Sequence, residues 1–199
     1  MKIFIDCEFI EYPGTLELLS IGLAAENGQT FYAVRDWTNG DYSRAVWKCP
    51  EETTKWLNDN VMPQLMTSLD DQPVRKLYPA LLGKEIRAWV AEQTDSPQFC
   101  GYFCDYDWVL FCWLQGSMSD LPPNWPMYCW DLKQYLDDNH VPLEIQPPNP
   151  LPHHALADAQ HELAHYRKAM AWVMENRRLT APETDADLAE MRRIYDVAL

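Results

Sequence analysis

The chain has 199 residues, which is enough for one α/β domain with a sizeable core and too few for two comfortable domains. Hydrophobic residues make up 47% of it, yet no apolar run approaches the length of a membrane span, so the composition argues against a disordered chain and against a membrane protein. The 30 acidic and 16 basic residues give a net charge of −14, which argues against binding long nucleic acid through a broad basic surface.

The N-terminal segment carries one lysine and leads directly to Asp6, without the charged leader and apolar core of a signal peptide. The six cysteines form no CxxC pair, and most lie in apolar segments, so we expect reduced and mainly buried thiols. Both observations predict a cytoplasmic protein that does not associate with membranes. We expect a single domain over residues 1–199.

The first predicted strand, residues 2–11, is an almost unbroken apolar run that two acids interrupt. Alternate residues of a strand share a face, so Asp6 and Glu8 point the same way. Two like charges that are buried this close are unfavourable unless a cation lies between them or one keeps its proton. A divalent metal would resolve the conflict, and an early strand end with both carboxylates in solvent is the alternative.

The rest of the chain predicts strands followed by alternating helices and strands. Strands are expected at 16–24 and 30–34, joined by an Asn27-Gly28 hairpin turn. A helix that opens at Pro50 carries Trp56, Leu57 and Val61 on one apolar side, and a second helix covers 82–90.

A short aromatic strand at 99–103 is followed by a buried helix at 108–114. Asp105 and Asp107 lie at the turn between them, where open α/β sheets form ligand crevices, although either acid alone is also typical of a helix N-cap. A short strand is expected at 127–130 and a helix at 132–138.

A proline-rich segment at 142–152 cannot form a helix or a central strand and predicts an extended loop. His153 and His154 follow it, and a long amphipathic helix is predicted at 155–176 with Asp158 in its first turn. A last helix is predicted at 184–199 as an appendage to the domain.

Three motifs, in their order along the chain, resemble those of the DEDDh 3'-to-5' exonucleases, a family that includes ribonuclease T and the polymerase proofreading subunit. The motifs are Asp6-x-Glu8, a Tyr106-Asp107 step before an apolar helix, and the box His153-x-Ala155-x-x-Asp158. Within that group, residues 101–135 are most similar to the mycobacterial polyadenylate-specific 3'-exoribonuclease family. The resemblance implies a ribonuclease H-like fold, with a mixed sheet of about five strands and helices on both faces.

The resemblance also implies a metal-dependent mechanism with two Mg²⁺ or Mn²⁺ ions in the site. Asp6, Glu8 and Asp158 would hold the ions, Asp107 would assist directly or through water, and His153 would take the proton from the attacking water. Carboxylate oxygens suit these hard ions, and two such ions can activate a water and stabilise the leaving oxygen. The implied products are nucleoside 5'-monophosphates from single-stranded or 3'-overhanging RNA.

The remaining expectations concern the substrate and its partners. Phe9 and Ile10 are candidates for packing against the terminal base, and a place in the core is an equally good reading of both. We hypothesise that His153, at the end of the proline-rich loop, closes over the site only when a strand terminus is bound. RNA 3' ends are the expected partner, with DNA left open, and a homodimer is expected by analogy.

Several alternatives remain open from the sequence. Asp105 competes with Asp107 for the second motif, and His154 competes with His153. Residues 161–165 read His-Glu-Leu-Ala-His, the HExxH pattern of zinc metallopeptidases, for which Glu183 or Glu190 would be the third ligand. Because His161 and His165 lie away from the apolar stripe of their helix, a solvated face is the expected explanation for them. A catalytically inactive nucleic-acid-binding module is the last alternative.

Overall fold

The computed structural model describes residues 1–37, 45–69 and 73–179. They form one mixed sheet of six strands in the order β4-β3-β2-β1-β5-β6. The strands are β1 (Lys2–Tyr12), β2 (Thr15–Ala25), β3 (Thr30–Arg35), β4 (Arg75–Leu77), β5 (Gln98–Gly101) and β6 (Trp130–Asp131). β2 is antiparallel to both of its neighbours, β1 and β3, whereas β4, β5 and β6 each join the sheet through parallel pairing.

Helices cover both faces of this sheet. They are α1 (Glu51–Asn60), α2 (Pro79–Gln93), α3 (Asp105–Leu114), α4 (Leu132–Asp138) and α5 (Ala155–Leu179). Among the described residues, no helix combines the length and the apolar character that a bilayer crossing requires. The helix predicted at 184–199 lies outside the described residues.

The predicted α/β class and the antiparallel start of the sheet are confirmed. The sheet has six strands instead of about five because β4, which spans only Arg75–Leu77, extends the edge beyond β3. Three residues are too short to show an alternating pattern, so this strand gave no signal in the sequence.

One face of the sheet packs against α2 and α3. Ile3, Ile5 and Cys7 of β1 point to this face and share a core with Ile86 of α2 and Phe111 of α3. Burial on this face is continuous, as expected for a central strand of an α/β sheet.

The opposite face holds two separate apolar clusters instead of one. Phe4 of β1 belongs to a cluster with Leu132 of α4 and Leu163 of α5. Ile10, six residues further along β1, belongs to a second cluster with Leu57 of α1. Because residues 4, 6, 8 and 10 of a strand share one face, Asp6 and Glu8 lie in the gap between these clusters.

The pairing of β1 with β2 changes register at this gap. Glu8 pairs with Ser20, whereas Phe9 pairs with Leu18, which leaves Leu19 as an extra residue on β2. Such a β-bulge increases the local twist and bends the bulged strand, and bulges are over-represented next to active sites. β2, the bulged strand, therefore bends opposite the point where the acid pair of β1 ends.

Gly22 lets the first turn of α5 approach the sheet beside Asp6, its partner in the register. A Cβ atom at Gly22 would lie 2.3 Å from the backbone N of Leu156 and 2.4 Å from the carbonyl C of Ala155. No side chain fits in this space, because the atoms that it would meet belong to the backbone. The close contact places Asp158, in the same turn, next to β1.

We expect Gly22→Ala to lower the free energy of unfolding by about 1–3 kcal/mol, because the added methyl group must push α5 away from β2. Urea denaturation measures this change. Ala91→Ser is a suitable control because it adds one heavy atom at an exposed position of α2, where a change within about 0.5 kcal/mol is expected. Equal stability of Gly22→Ala and the parent chain would show that α5 does not approach β2 this closely.

Candidate active site

A cleft of about 550 Å³ opens in the gap between the two apolar clusters. Five parts of the chain line it: β1, α1, the segment after β5 that carries Tyr102, the proline-rich loop and the first turns of α5. Their different origins explain why the cleft is polar at its base, where β1 contributes acids, and partly aromatic at its rim, where α1 contributes Trp56.

Three carboxylates meet at the base of the cleft. Asp6, Glu8 and Asp158 each offer an oxygen atom, and these atoms all lie within 4.8 Å of one another. Within the described residues, this is the one group of three such side chains that is close enough to hold a metal ion. Carboxylate oxygens without thiol or imidazole ligands favour Mg²⁺ or Mn²⁺, so the residues present fit the ions that the sequence predicted.

Asp107 lies beside this group and is tied to β1. Its Oδ1 accepts a hydrogen bond of 2.7 Å from the backbone N–H of Cys7, the residue between Asp6 and Glu8. Its side chain is buried, whereas Asp105 is exposed on the other side of the first turn of α3. The structure therefore turns Asp107, and not Asp105, towards the carboxylate group.

Burial raises the pKa of every carboxyl group in this cluster. The pKa of Asp6 lies well above its usual value because of burial, with added repulsion from Asp107. Burial and the charge of Asp158 raise the pKa of Glu8 to about 8. Burial also raises the pKa of Asp107 to about 7, against the opposing effect of the Cys7 N–H. Without a cation, the cluster must hold protons near neutral pH.

His153 lies at the rim of the cleft, where its backbone has φ +64° in the left-handed region. The Trp56 ring of α1 contacts the imidazole edge-on, with 4.9 Å between ring centroids. This backbone conformation costs free energy in any residue other than glycine, so the surrounding contacts must hold His153 in place. Trp56 is one such contact. Burial raises the pKa of Asp158, and the nearby Asn149 and His153 oppose only part of that rise.

His154 has a different environment and is almost fully buried. Its Nδ1 accepts a hydrogen bond from the backbone N–H of Ala157 in the first turn of α5, and its Nε2 lies 3.1 Å from the Thr67 carbonyl oxygen. Its ring stacks on Tyr32 with 4.3 Å between centroids. These contacts fasten the start of α5 to the sheet, away from the cleft.

The proline-rich loop is fastened to α5 at two points. The Asn149 side chain donates a hydrogen bond to Asp158, and the Nε2 of His161 lies 2.8 Å from the carbonyl oxygen of Pro147. Because a carbonyl oxygen only accepts, the His161 Nε2 carries the proton in this contact. That nitrogen is therefore not available to a metal ion.

The expectation that His161 and His165 lie on a solvated helix face is wrong. Glu162 and His165 are 6% and 4% exposed, and both line the cleft with His161. A zinc site would need a third ligand, and the described residues offer none near the two histidines. Glu183 and Glu190, which the sequence suggested for that role, lie outside the described residues.

The two candidate substrate contacts occupy different environments. Phe9 borders the cleft and packs edge-on against Tyr106, with 5.9 Å between ring centroids. Ile10 is 0% exposed within the α1 cluster and does not reach the cleft. Trp56 was expected to share the apolar side of α1 with Leu57, but it is 46% exposed and faces His153 instead.

Comparison with known proteins shows clear similarity along most of the chain. The model of the 3'-5' exoribonuclease Rv2179c-like domain matches residues 1–170. The 3'-5' exoribonucleases Rv2179c and MT2234.1, from two strains of Mycobacterium tuberculosis, are each 35% identical over 173 residues, which cover 84% of this chain and 92% of the relative.

A solved structure of exonuclease I superposes with a TM-score of 0.53 at 11% identity, over 85% of this chain. The match spans only 40% of the exonuclease I chain. At this identity the likeness concerns the fold alone, and it confirms the predicted ribonuclease H-like architecture.

We expect the ion-free protein to lose stability as the pH rises from about 4.5 to about 8, the interval over which the folded chain holds the Glu8 proton and the unfolded chain does not. Each carboxyl group that titrates this way contributes a slope of about 1.4 kcal/mol per pH unit, with stability highest at the acid end. Urea denaturation in a chelator across this interval measures the slope.

Saturating Mg²⁺ should flatten the slope, because the ion takes the place of the protons. Asp6→Asn should flatten it in chelator, since it removes one of the repelling charges. A stability that stays level or rises with pH in chelator would contradict the electrostatic description of the cluster.

Proposed function

The chain belongs to the 3'-5' exoribonuclease Rv2179c-like domain family, and on that premise we propose that it hydrolyses RNA from the 3' end with two divalent ions, releasing nucleoside 5'-monophosphates. The observation that carries this proposal is the convergence of Asp6, Glu8 and Asp158 within 4.8 Å at the base of the cleft. Glu8 is buried and Asp6 and Asp158 are partly buried, so a cation between these carboxylates would relieve their repulsion, and phosphodiester hydrolysis uses such ions.

Five polar residues in or beside the cleft have a role in this proposal. Asp6, Glu8 and Asp158 would hold the ions, which supply activation of water and stabilisation of the leaving oxygen when they are bound. Asp107 has one oxygen engaged by the Cys7 N–H, so its other oxygen assists, directly or through water. His153 accepts the proton of the attacking water, a role that suits a side chain whose ordinary pKa lies near neutrality.

The aromatic residues around the cleft suit a single-stranded terminus. Phe9 packs against Tyr106, and Trp56 presents a half-exposed ring beside His153. Bases stack on such rings whatever their sequence, and stacking does not require the broad basic surface that this acidic chain lacks. We therefore assign the terminal base to Phe9 and Trp56, and Ile10 is not part of this assignment.

The alternatives from the sequence receive no support. The zinc peptidase would need His161, whose Nε2 is bonded to the Pro147 carbonyl oxygen, and it would leave the three-carboxylate group without a role. An inactive module does not agree with membership in an exoribonuclease family. The homodimer stays a proposal by analogy, and the cytoplasmic location stays an inference from composition.

We expect the purified chain to shorten a 5'-labelled single-stranded RNA stepwise from its 3' end in Mg²⁺ and to stop when a chelator is added. The DNA oligonucleotide of the same sequence should be degraded more slowly, because the related proteins are exoribonucleases. Gel analysis of the labelled fragments gives direction and rate. Fragments from internal cleavage, or activity in chelator, would contradict the proposal.

Variants connect this activity to the cleft. Asp6→Asn and Asp158→Asn should abolish it, and His153→Asn should lower kcat by about 10²–10⁴-fold through loss of the proton acceptor. His140→Asn is the matched control, because His140 also has positive φ (53°) but is exposed outside the cleft. Asparagine tolerates this backbone region, so neither histidine variant should strain the fold.

We expect Asp107→Asn to lower activity by about 10–100-fold, as the loss of a supporting carboxylate does in metal enzymes. Asparagine keeps a carbonyl oxygen for the Cys7 N–H, so the β1–α3 contact and the stability should survive. Asp105→Asn removes the same charge from an exposed position two residues away and should change kcat/KM less than twofold. The reverse ranking would assign the second motif to Asp105.

A further inference from the structure

One buried acid that lines the cleft, Glu162, has no part in the proposed mechanism. Glu162 lies four residues after Asp158 on α5, and residues at this spacing share one face of a helix. Its side chain lines the cleft and is only 6% exposed. The helix turn that supplies one ion-holding acid therefore supplies a second carboxylate behind it.

The hydrogen bonding of Glu162 is incomplete. The backbone N–H of Tyr102 lies near enough to the carboxylate to favour its charged form. Its Oε2 atom is fully buried and finds no hydrogen-bond donor among the residues that the structure describes. Buried carboxylate oxygens are normally satisfied by donors or by ions, so an oxygen without a donor at the wall of a cleft points to a missing ligand.

The charges around Glu162 make a purely structural role unfavourable. The groups that act on it most strongly are Asp107, Asp158 and Cys104, none of which brings a positive charge, and Asp6 feels the charge of Glu162 in turn. In the folded, ion-free chain burial disfavours the charged form of this acid, and its acidic neighbours disfavour it further. A residue that costs stability and faces a functional site is typical of a functional compromise.

We infer that Glu162 is a fifth carboxylate of the metal site, which binds the ions through their hydration shell and strengthens their affinity; this inference rests on the proposed function. Glu162 is not part of the group of Asp6, Glu8 and Asp158, whose oxygens are within 4.8 Å of one another. We therefore place it in a second layer around the ions, outside these three direct ligands. Magnesium keeps several of its waters when it binds proteins, and those waters are donors. One of them supplies the hydrogen bond that Oε2 lacks.

Binding of Mn²⁺ to the full chain, measured by calorimetry at pH 7.5 without substrate, tests this inference. Glu162→Gln should weaken Mn²⁺ binding by about 10–100-fold, the usual cost of losing a partner behind the ligands. It should raise the melting temperature of the ion-free protein, because a repelling charge is lost and the amide can donate to its neighbours. Glu175→Gln is the matched control, because it removes the same charge from an exposed position of α5 and should change neither quantity.

The outcomes separate this inference from the proposed function. Unchanged Mn²⁺ affinity in Glu162→Gln, together with loss of binding in Asp6→Asn, overturns the role of Glu162 and leaves the three-carboxylate site intact. Absence of Mn²⁺ binding in the parent chain overturns the proposed function itself. If circular dichroism shows that Glu162→Gln does not fold, Glu162→Asp replaces it: the shortened side chain withdraws the carboxylate, so unchanged affinity in that variant also overturns the inference.

Discussion

Repulsion between buried carboxylates is the constraint on which the rest of this structure depends. Asp6, Glu8 and Asp158 converge within 4.8 Å, and Asp107 lies beside them. In the ion-free chain, burial and mutual repulsion raise the pKa of these groups, so the fold bears a cost that its apolar core must offset. The two apolar clusters on either side of the cleft, together with the continuous core on the other face of the sheet, provide that stabilisation. A cation removes the repulsion, which links metal binding to folding stability.

The cleft exists because the helices leave part of one sheet face uncovered. The α5 cluster around Phe4 and the α1 cluster around Ile10 are separated along β1 by the two acids. The β-bulge after Glu8 and the contact of α5 with Gly22 set the borders of this gap. Local packing therefore brings Asp158, which is 150 residues away from Glu8 in the sequence, into the same site. Without Asp158, β1 would supply only two of the three carboxylates of this group.

Much of this arrangement could be predicted from the sequence, because periodicity and motif spacing report local structure directly. The buried run of β1 and the stripe of α5 predicted the elements that carry Asp6 and Asp158. The sequence could not reveal β4, which is too short to show a pattern, or the exposure of Trp56, whose helix position is typical of the core. The burial of Glu162 was not predicted, because the apolar stripe of α5 does not include it, although its spacing from Asp158 does indicate the cleft side. Which polar face of a helix is buried depends on what the neighbouring loop covers, and that is a tertiary property.

The pairing of Asp6 with Gly22 also protects the fold against misassembly. A slip of one residue between β1 and β2 would turn Asp6 and Glu8 towards the apolar face that packs on α2 and α3. If β2 moved instead, Ile21 or Leu23 would come to lie beneath α5, where the existing distances leave no room for a side chain. Either misaligned sheet is therefore penalised strongly, by unpaired charge in one case and by steric overlap in the other. The residues that build the site thus also select a single strand alignment.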